Sequence, residues 1–261
     1  MRELIAVPLK PIASDELRRE GKVFFVGGSL PGKETLEAIF DSHCRAPAAL
    51  FCLSFSDINS FHLGEKLAGM IKKNFCAHLL GRLDYPAPSY IIERAYAAGV
   101  DILDIPLHVF DQALSGERQL EKEKRLQALN NALPVFPRWA VVSTLKAGEE
   151  PSCSTICGID SLLAAGIAPL VEISARAARY PAEEISAVFE YLAIEWRKHR
   201  VIIKPLLPLV NLATPLTFPK PRGVLKGLIE KIQDRKLLAT GDLRRSLRVR
   251  QVEESFKSSG L

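Results

Sequence analysis

The stretch AAGVDILDIPLHVFDQ, Ala97 to Gln112, decides how this chain is read. It follows a helical pattern and opens as an apolar run, so it reads as a strand. Yet Asp101, Asp104, Pro106, His108 and Asp111 interrupt it. A period of two puts Asp104, Pro106 and His108 on one face, with Leu103, Ile105 and Leu107 on the other. Polar residues gathered at the far end of a strand are expected where parallel strands converge on a site. Asp111 is expected only to cap the following loop.

The same grammar repeats on either side. Apolar runs at Leu4–Leu9, Lys22–Gly27, Ala49–Phe55, Ala77–Leu83, Asp101–Val109, Ala140–Lys146, Pro169–Ile173 and Val201–Leu206 read as strands. Between most of them lie helical patterns at Lys33–Ser42, Leu63–Asn74, Ser89–Ala98, Glu117–Leu133, Thr155–Ala165 and Ala182–His199. Ser89 is placed to cap its helix, and Gly99 and Gly166 to end theirs. Strand–helix alternation implies parallel pairing with right-handed crossovers. Strands this apolar are covered on both faces. No Gly-x-Gly-x-x-Gly unit follows any of them, so a barrel is favoured over an open dinucleotide-binding sheet. The expected fold is α/β: a (β/α) TIM-type barrel, complete or partial, of six to eight parallel strands over residues 1–219. A basic helical extension over 220–261 follows it.

Composition sets outer bounds. At 261 residues, 48% hydrophobic and 25% charged, the chain can bury one substantial core and is not disordered. No apolar run approaches the roughly 20 residues that cross a bilayer. The opening MRELIAVPLKPIASDELRREGK has too short an apolar run for a secretory leader, so a cytoplasmic protein without a membrane partner is expected. Five scattered cysteines do not form a secreted disulfide framework, and Cys52 reads as a small buried hydrophobe. The net charge of +5 is concentrated at the end: Lys220 to Leu261 holds eleven Lys or Arg against five Asp or Glu. That segment is either a docking surface for an acidic partner, nucleic acid or an anionic membrane, or a solvated helical face.

Several residues carry candidate chemistry. Lys146 and Lys204 sit in apolar runs, where a lysine with a lowered pKa forms Schiff bases in lyases and aldolases. Glu172 is a base or partner for them; the plainer alternative is a buried Lys–Glu pair. Gly27 and Gly28, in VGGSLPGKET, follow a strand and precede a helix. Their amides either cradle a phosphate or simply make a tight turn. Glu34 stands where Walker A needs a hydroxyl. Asp57 and Asp84 end strands and would join His108, Lys146 and Glu172 at one mouth; alternatively they cap helices. No histidine spacing predicts a metal site, and no Gly-x-Ser-x-Gly elbow or RNA-binding aromatic signature is present.

Two segments carry a resemblance. IIERAYAAGVDILDIPLHVFDQAL resembles the fourth repeat of radical S-adenosylmethionine enzymes of the biotin-synthase-like branch. ALPVFPRWAVVSTLKAGEEPSCSTICGIDSLLAAGIAPLVEIS resembles the fifth and sixth. The likeness spans about Pro86 to Glu184. It implies a (β/α) barrel and a pocket for S-adenosylmethionine or a related nucleoside. His108 would contact the ribose, with Gly148 and Glu150 near the adenine. The family's Cys-x-x-x-Cys-x-x-Cys, whose thiolates hold a four-iron cluster, has no counterpart. The matching loop, LPGKETLEAIFDSHC, holds Cys44 alone, and Cys153-x-x-x-Cys157 lies in another repeat. Lys146 also replaces an apolar residue. The resemblance therefore implies a barrel without the cluster: a ligand-binding or companion subunit of a radical enzyme, docking through surface helices or the basic segment. The other reading is a lyase or aldolase using a strand lysine.

Overall fold

The computed structural model describes residues 8–110, 117–216 and 236–250. Among these, one sheet of seven strands runs in the order β1-β2-β3-β4-β5-β6-β7. Six are parallel neighbours: β2 (Val23–Gly27), β3 (Leu50–Phe55), β4 (His78–Leu83), β5 (Ile102–Asp104), β6 (Val141–Ala147) and β7 (Ala168–Ile173). Each is followed by a helix: α1 (Gly32–Arg45), α2 (Phe61–Asn74), α3 (Ser89–Ala97), α4 (Glu117–Ala132), α5 (Ser152–Ala164) and α6 (Ala182–Lys198). Almost every residue of these strands is buried, because helices cover one face and the curled sheet covers the other. The helices turn apolar stripes inward; in α2 these are Phe61, Gly64, Leu67, Ala68 and Ile71, at helical spacing.

The sheet curls into a half-barrel. One contact shows how strongly. β4 and β7 are three strands apart, about 14 Å in a flat sheet. Yet Arg82 of β4 donates from Nη2 to Glu172 Oε1 of β7 at 2.8 Å. Two side chains close that gap only across a concave face.

Three expectations change. The charged run LRRE forms an added edge strand, β1 (Leu17–Glu20), antiparallel to β2. Gly21, at φ 57°, makes the tight turn between them. Charged Arg18 and Arg19 suit an edge that must not recruit another strand. Second, Val201–Leu206 is not a strand. It holds a 3-10 turn (Lys204–Leu206) leading into α7 (Leu207–Ala213). Pro205 and Pro208 have no N–H to give a ladder. The β7 edge is instead packed by α7, and Trp196 Nε1 donates to the Pro169 carbonyl at 3.0 Å. Third, Ser89 is the first helical residue of α3 and Pro88 caps it, without a side-chain bond. Of the run at Leu4–Leu9, residues 4–7 lie outside the described residues and the rest is not strand.

β5 is short for a reason visible in its sequence. Leu103 and Asp104 pair with Val141 and Val142, but His108 pairs with Leu145. The register has advanced by one residue, which defines a bulge. Pro106 cannot donate to the ladder, and the Ile105 carbonyl accepts the Ser143 hydroxyl at 2.9 Å. Pairing resumes where His108 N–H donates to Thr144 O at 2.9 Å and Lys146 N–H to His108 O at 2.8 Å.

Within the basic segment, residues 236–250 form a helix, α8; most of the remainder of 220–261 is outside the described residues. α8 packs on the half-barrel through Arg245, which bonds Asp101 Oδ1 at 2.7 Å, and Arg248, which grips the Glu93 carboxylate. Among the described residues no helix is long and apolar enough to cross a membrane.

Candidate functional site at the carboxyl end of the half-barrel

The concave face is built in layers. Cys52, Leu80, Ile102, Val142 and Leu170 form an apolar layer, all of them buried. Two residues further along each strand, the same face carries Ser54, Arg82, Asp104, Thr144 and Glu172. Arg82, Asp104, Thr144 and Glu172 form one connected network. Arg82 Nε donates to Asp104 Oδ2 at 2.8 Å, and its Nη2 reaches Glu172 and the Thr144 hydroxyl. Thr144 returns two bonds to Asp104, from its hydroxyl at 2.9 Å and its amide at 3.1 Å. The bulge explains the second bond: with the ladder displaced, the Asp104 carboxylate accepts the Thr144 amide.

Electrostatics follow from burial. Asp104 is 0% exposed, and burial pushes its pKa up to about 6, against the pull of Arg82 and the Thr144 hydroxyl. Burial opposes the charge on Arg82, and the Glu172 and Asp104 carboxylates outweigh it, raising the guanidinium above its ordinary value. The Cys52 thiol beneath is pushed by burial up to about 12, which leaves it a packing residue.

Lys146 stands one step beyond the network, in register with Glu172 on β7. It is half-buried, and its ammonium makes no hydrogen bond or salt bridge among the described residues. His108 lies within electrostatic range of it. Burial, then Lys146, draws the imidazole down to about 4, with Asp84 opposing, so the ring is neutral near pH 7. The bulge cancels the simple alternation that placed His108 on the face of Asp104. A φ of 64° redirects the residue instead, and its buried Nδ1 has no partner among the described residues. A left-handed non-glycine residue and an unpaired buried nitrogen are both unusual in a folded chain.

The other candidates separate. Lys204 lies in the turn after α6, next to Pro205, which lines a cavity with His78 and Ala140 at the amino ends of the strands. It is therefore at the opposite end from Lys146. Glu150 is buried, and its carboxylate is committed to the chain itself: it accepts the Phe110 amide at 2.7 Å and the Thr155 hydroxyl at 3.3 Å. Gly148 makes the turn after β6 at φ 83°, with Ala177 too close for any side chain. At Gly27 a Cβ would lie 2.3 Å from the Ser14 carbonyl. Gly27 N–H donates to Glu16 O and Ser29 N–H to Ser14 O, both at 2.8 Å, so two amides of the proposed cradle are engaged by residues 14–16. Gly28 is closed off similarly by the Ser54 carbonyl. Asp57 caps the turn before α2, accepting from the amides of Asn59 and Ser60. Asp84 is exposed beside the mouth, and Asp111 lies outside the described residues.

An iron–sulfur cluster does not fit these residues. Cys44 is in the last turn of α1 and Cys76 lies between α2 and β4, both toward the amino ends of the strands. Cys153 and Cys157 are exposed on α5. Among the described residues no group of three metal-ligating side chains exists. Arg82 and Thr144, the centre of the polar layer, were not singled out from the sequence; an arginine inside the apolar run HLLGRL was the signal. The chain matches no protein-family profile and no curated protein.

Proposed function

We propose that the carboxyl end of the half-barrel binds a small zwitterionic ligand of the S-adenosylmethionine type. In this reading the protein resembles the radical S-adenosylmethionine barrels and does not perform their reductive cleavage. The observation that carries it is the polar layer over an apolar one, topped by the unpaired Lys146 ammonium. A fold alone would continue the apolar core, because replacing buried ion pairs by hydrocarbon is commonly neutral or stabilising. Lys146 offers a carboxylate its cation, and Glu172 and Asp84 offer an ammonium or sulfonium its counter-charge. Neutral His108 supplies a donor or an acceptor beside them. A companion role beside a radical enzyme remains part of this proposal, although Arg245 and Arg248 of the basic segment are engaged within the chain.

Titration calorimetry with S-adenosylmethionine and S-adenosylhomocysteine tests it. Saturable binding that Lys146→Met weakens about tenfold or more is the expected result, the size of one lost charged contact. Failure of wild-type protein to bind either compound would overturn the reading. So would a stable four-iron spectrum after anaerobic reconstitution with iron and sulfide.

The second reading, a Schiff-base lyase or aldolase, now rests on Lys146, since Lys204 lies at the other end. Borohydride trapping with small aldehydes and keto acids should yield an adduct on Lys146 if it holds. Intact mass unchanged across such a panel would remove it.

A further inference from the structure

The amino end of the half-barrel holds a second feature, unconnected with the mouth. α8 and the segment around Pro205 lie near the starts of β4, β5 and β6 and enclose a cavity of about 110 Å³. Its wall is largely apolar, with Ile102, Trp139 and Leu238 contributing. Four observations distinguish it from a packing defect.

Tyr96 and Arg245 both line the cavity and are only 2% and 8% exposed. The Tyr96 hydroxyl and Arg245 Nε have no hydrogen-bond partner among the described residues. Buried donors are almost always paired in folded proteins; here the Arg245 guanidinium instead lies 5.3 Å over the Tyr96 ring, so this wall is polar without being self-satisfied. Trp139 has φ 64°, a strained conformation for a bulky residue, in the same wall. Arg138 at the rim makes no salt bridge among the described residues, and its guanidinium lies 5.3 Å over the Trp139 ring. Arg245, by contrast, is already neutralised by Asp101 and Asp242.

The fourth observation is Gly241, on the face of α8 that lines the cavity. Glycine weakens a helix interior, and among the described residues no close approach requires it: a Cβ would meet no atom of theirs within 4 Å. Its φ is not left-handed either. A larger side chain would favour the helix and fill the space, so the space is kept at a cost.

We infer that this cavity is a binding site for a small monocarboxylate with an apolar body. Five or six carbons are the upper limit for its body: benzene occupies cavities of about 150 Å³, and this one holds about 110 Å³ but is partly open, so the polar end can lie toward solvent. The body lies against Trp139, Ile102 and Leu238. The carboxylate faces Arg138 at the rim.

Benzoate and 4-methylpentanoate are the probes, with benzyl alcohol as the uncharged control, in calorimetry and saturation-transfer NMR on the full chain. Wild-type protein should bind both acids saturably. Gly241→Leu should abolish binding while the melting temperature holds or rises. Arg138→Gln, at an exposed position that leaves folding intact, should weaken both acids by up to about fivefold, as loss of a rim charge does, and leave benzyl alcohol unchanged. No saturable binding of either acid by wild-type protein overturns the inference. Undiminished binding by folded Gly241→Leu, or benzoate affinity unaffected by Arg138→Gln, overturns it equally.

Discussion

Asp101 and Asp104 flank the same strand, and each holds an arginine, yet the two ends of β5 are built on different principles. At the carboxyl end Asp104 is fully buried and meets Arg82, Thr144 and, through Arg82, Glu172. These partners come from neighbouring strands, so the sheet alone assembles them. At the amino end Asp101 receives Lys72 from α2, the Leu79 amide from β4, and Arg245 from a helix 144 residues away. One network lines the concave face, and the other clasps a distant segment onto the half-barrel. The interior charges are thus brought together by the sheet itself, whereas the outer ones join it to a segment far away in sequence.

The sharpest way to break this comparison is to remove each arginine. Arg82→Met leaves two carboxylates buried without their cation and should cost about 3–5 kcal/mol in urea denaturation. A loss under about 1 kcal/mol would mean water reaches the interior freely. Arg245→Met should cost less, about 1–3 kcal/mol, because Asp101 keeps Lys72 and the Leu79 amide. It should also expose α8 to limited proteolysis. A reversed order of the two losses would show that the clasp carries more of the fold than the interior does.

Acid sharpens the comparison further, since the mouth holds two groups of opposite sense. His108 is depressed from 6.5 to about 4, so it favours the folded state above 6.5 and that contribution is lost as pH falls toward 4. Asp104 is raised from 3.8 to about 6, so its contribution is full below 3.8 and is lost as pH rises through 6. The two partly cancel between about pH 4 and 6.5. His108→Gln should flatten or reverse the acid loss in that window, and Asp104→Asn should steepen it, as read from melting temperature against pH. The smallest effect is expected for Arg248→Gln. Its bond to Glu93 is partly exposed and should be worth about 0.5 kcal/mol, fading with added salt.

Much of this fold was legible in the sequence, because buried parallel strands are written as unbroken apolar runs. β2, β3, β4, β6 and β7 all follow such runs to within a residue or two. The errors have specific causes. LRRE forms a strand through a glycine turn and a neighbour's ladder, despite its charge. Val201–Leu206 had the right hydropathy and the wrong backbone, given Pro205 and Pro208. Around the polar layer, period-two reasoning gave the face of Asp104 but failed at His108, since a bulge moves the phase of everything beyond it; Lys146 and Glu172 stood out only as charges inside apolar runs. Arg82 was missed because a single cation in an apolar run looks like noise until the adjacent strand supplies its carboxylate.

The extra residue in β5 has a consequence for how this strand tolerates length change. Between Ile105 and His108 the backbone contains one unit more than its neighbour uses. Deleting Pro106 would bring the two chains back into step, return the Thr144 amide to a carbonyl, and release the oxygen of Asp104 that now receives it. A shortening that is fatal in most inner strands would here yield a straighter, more regular one, at the expense of the aspartate's hold on its surroundings.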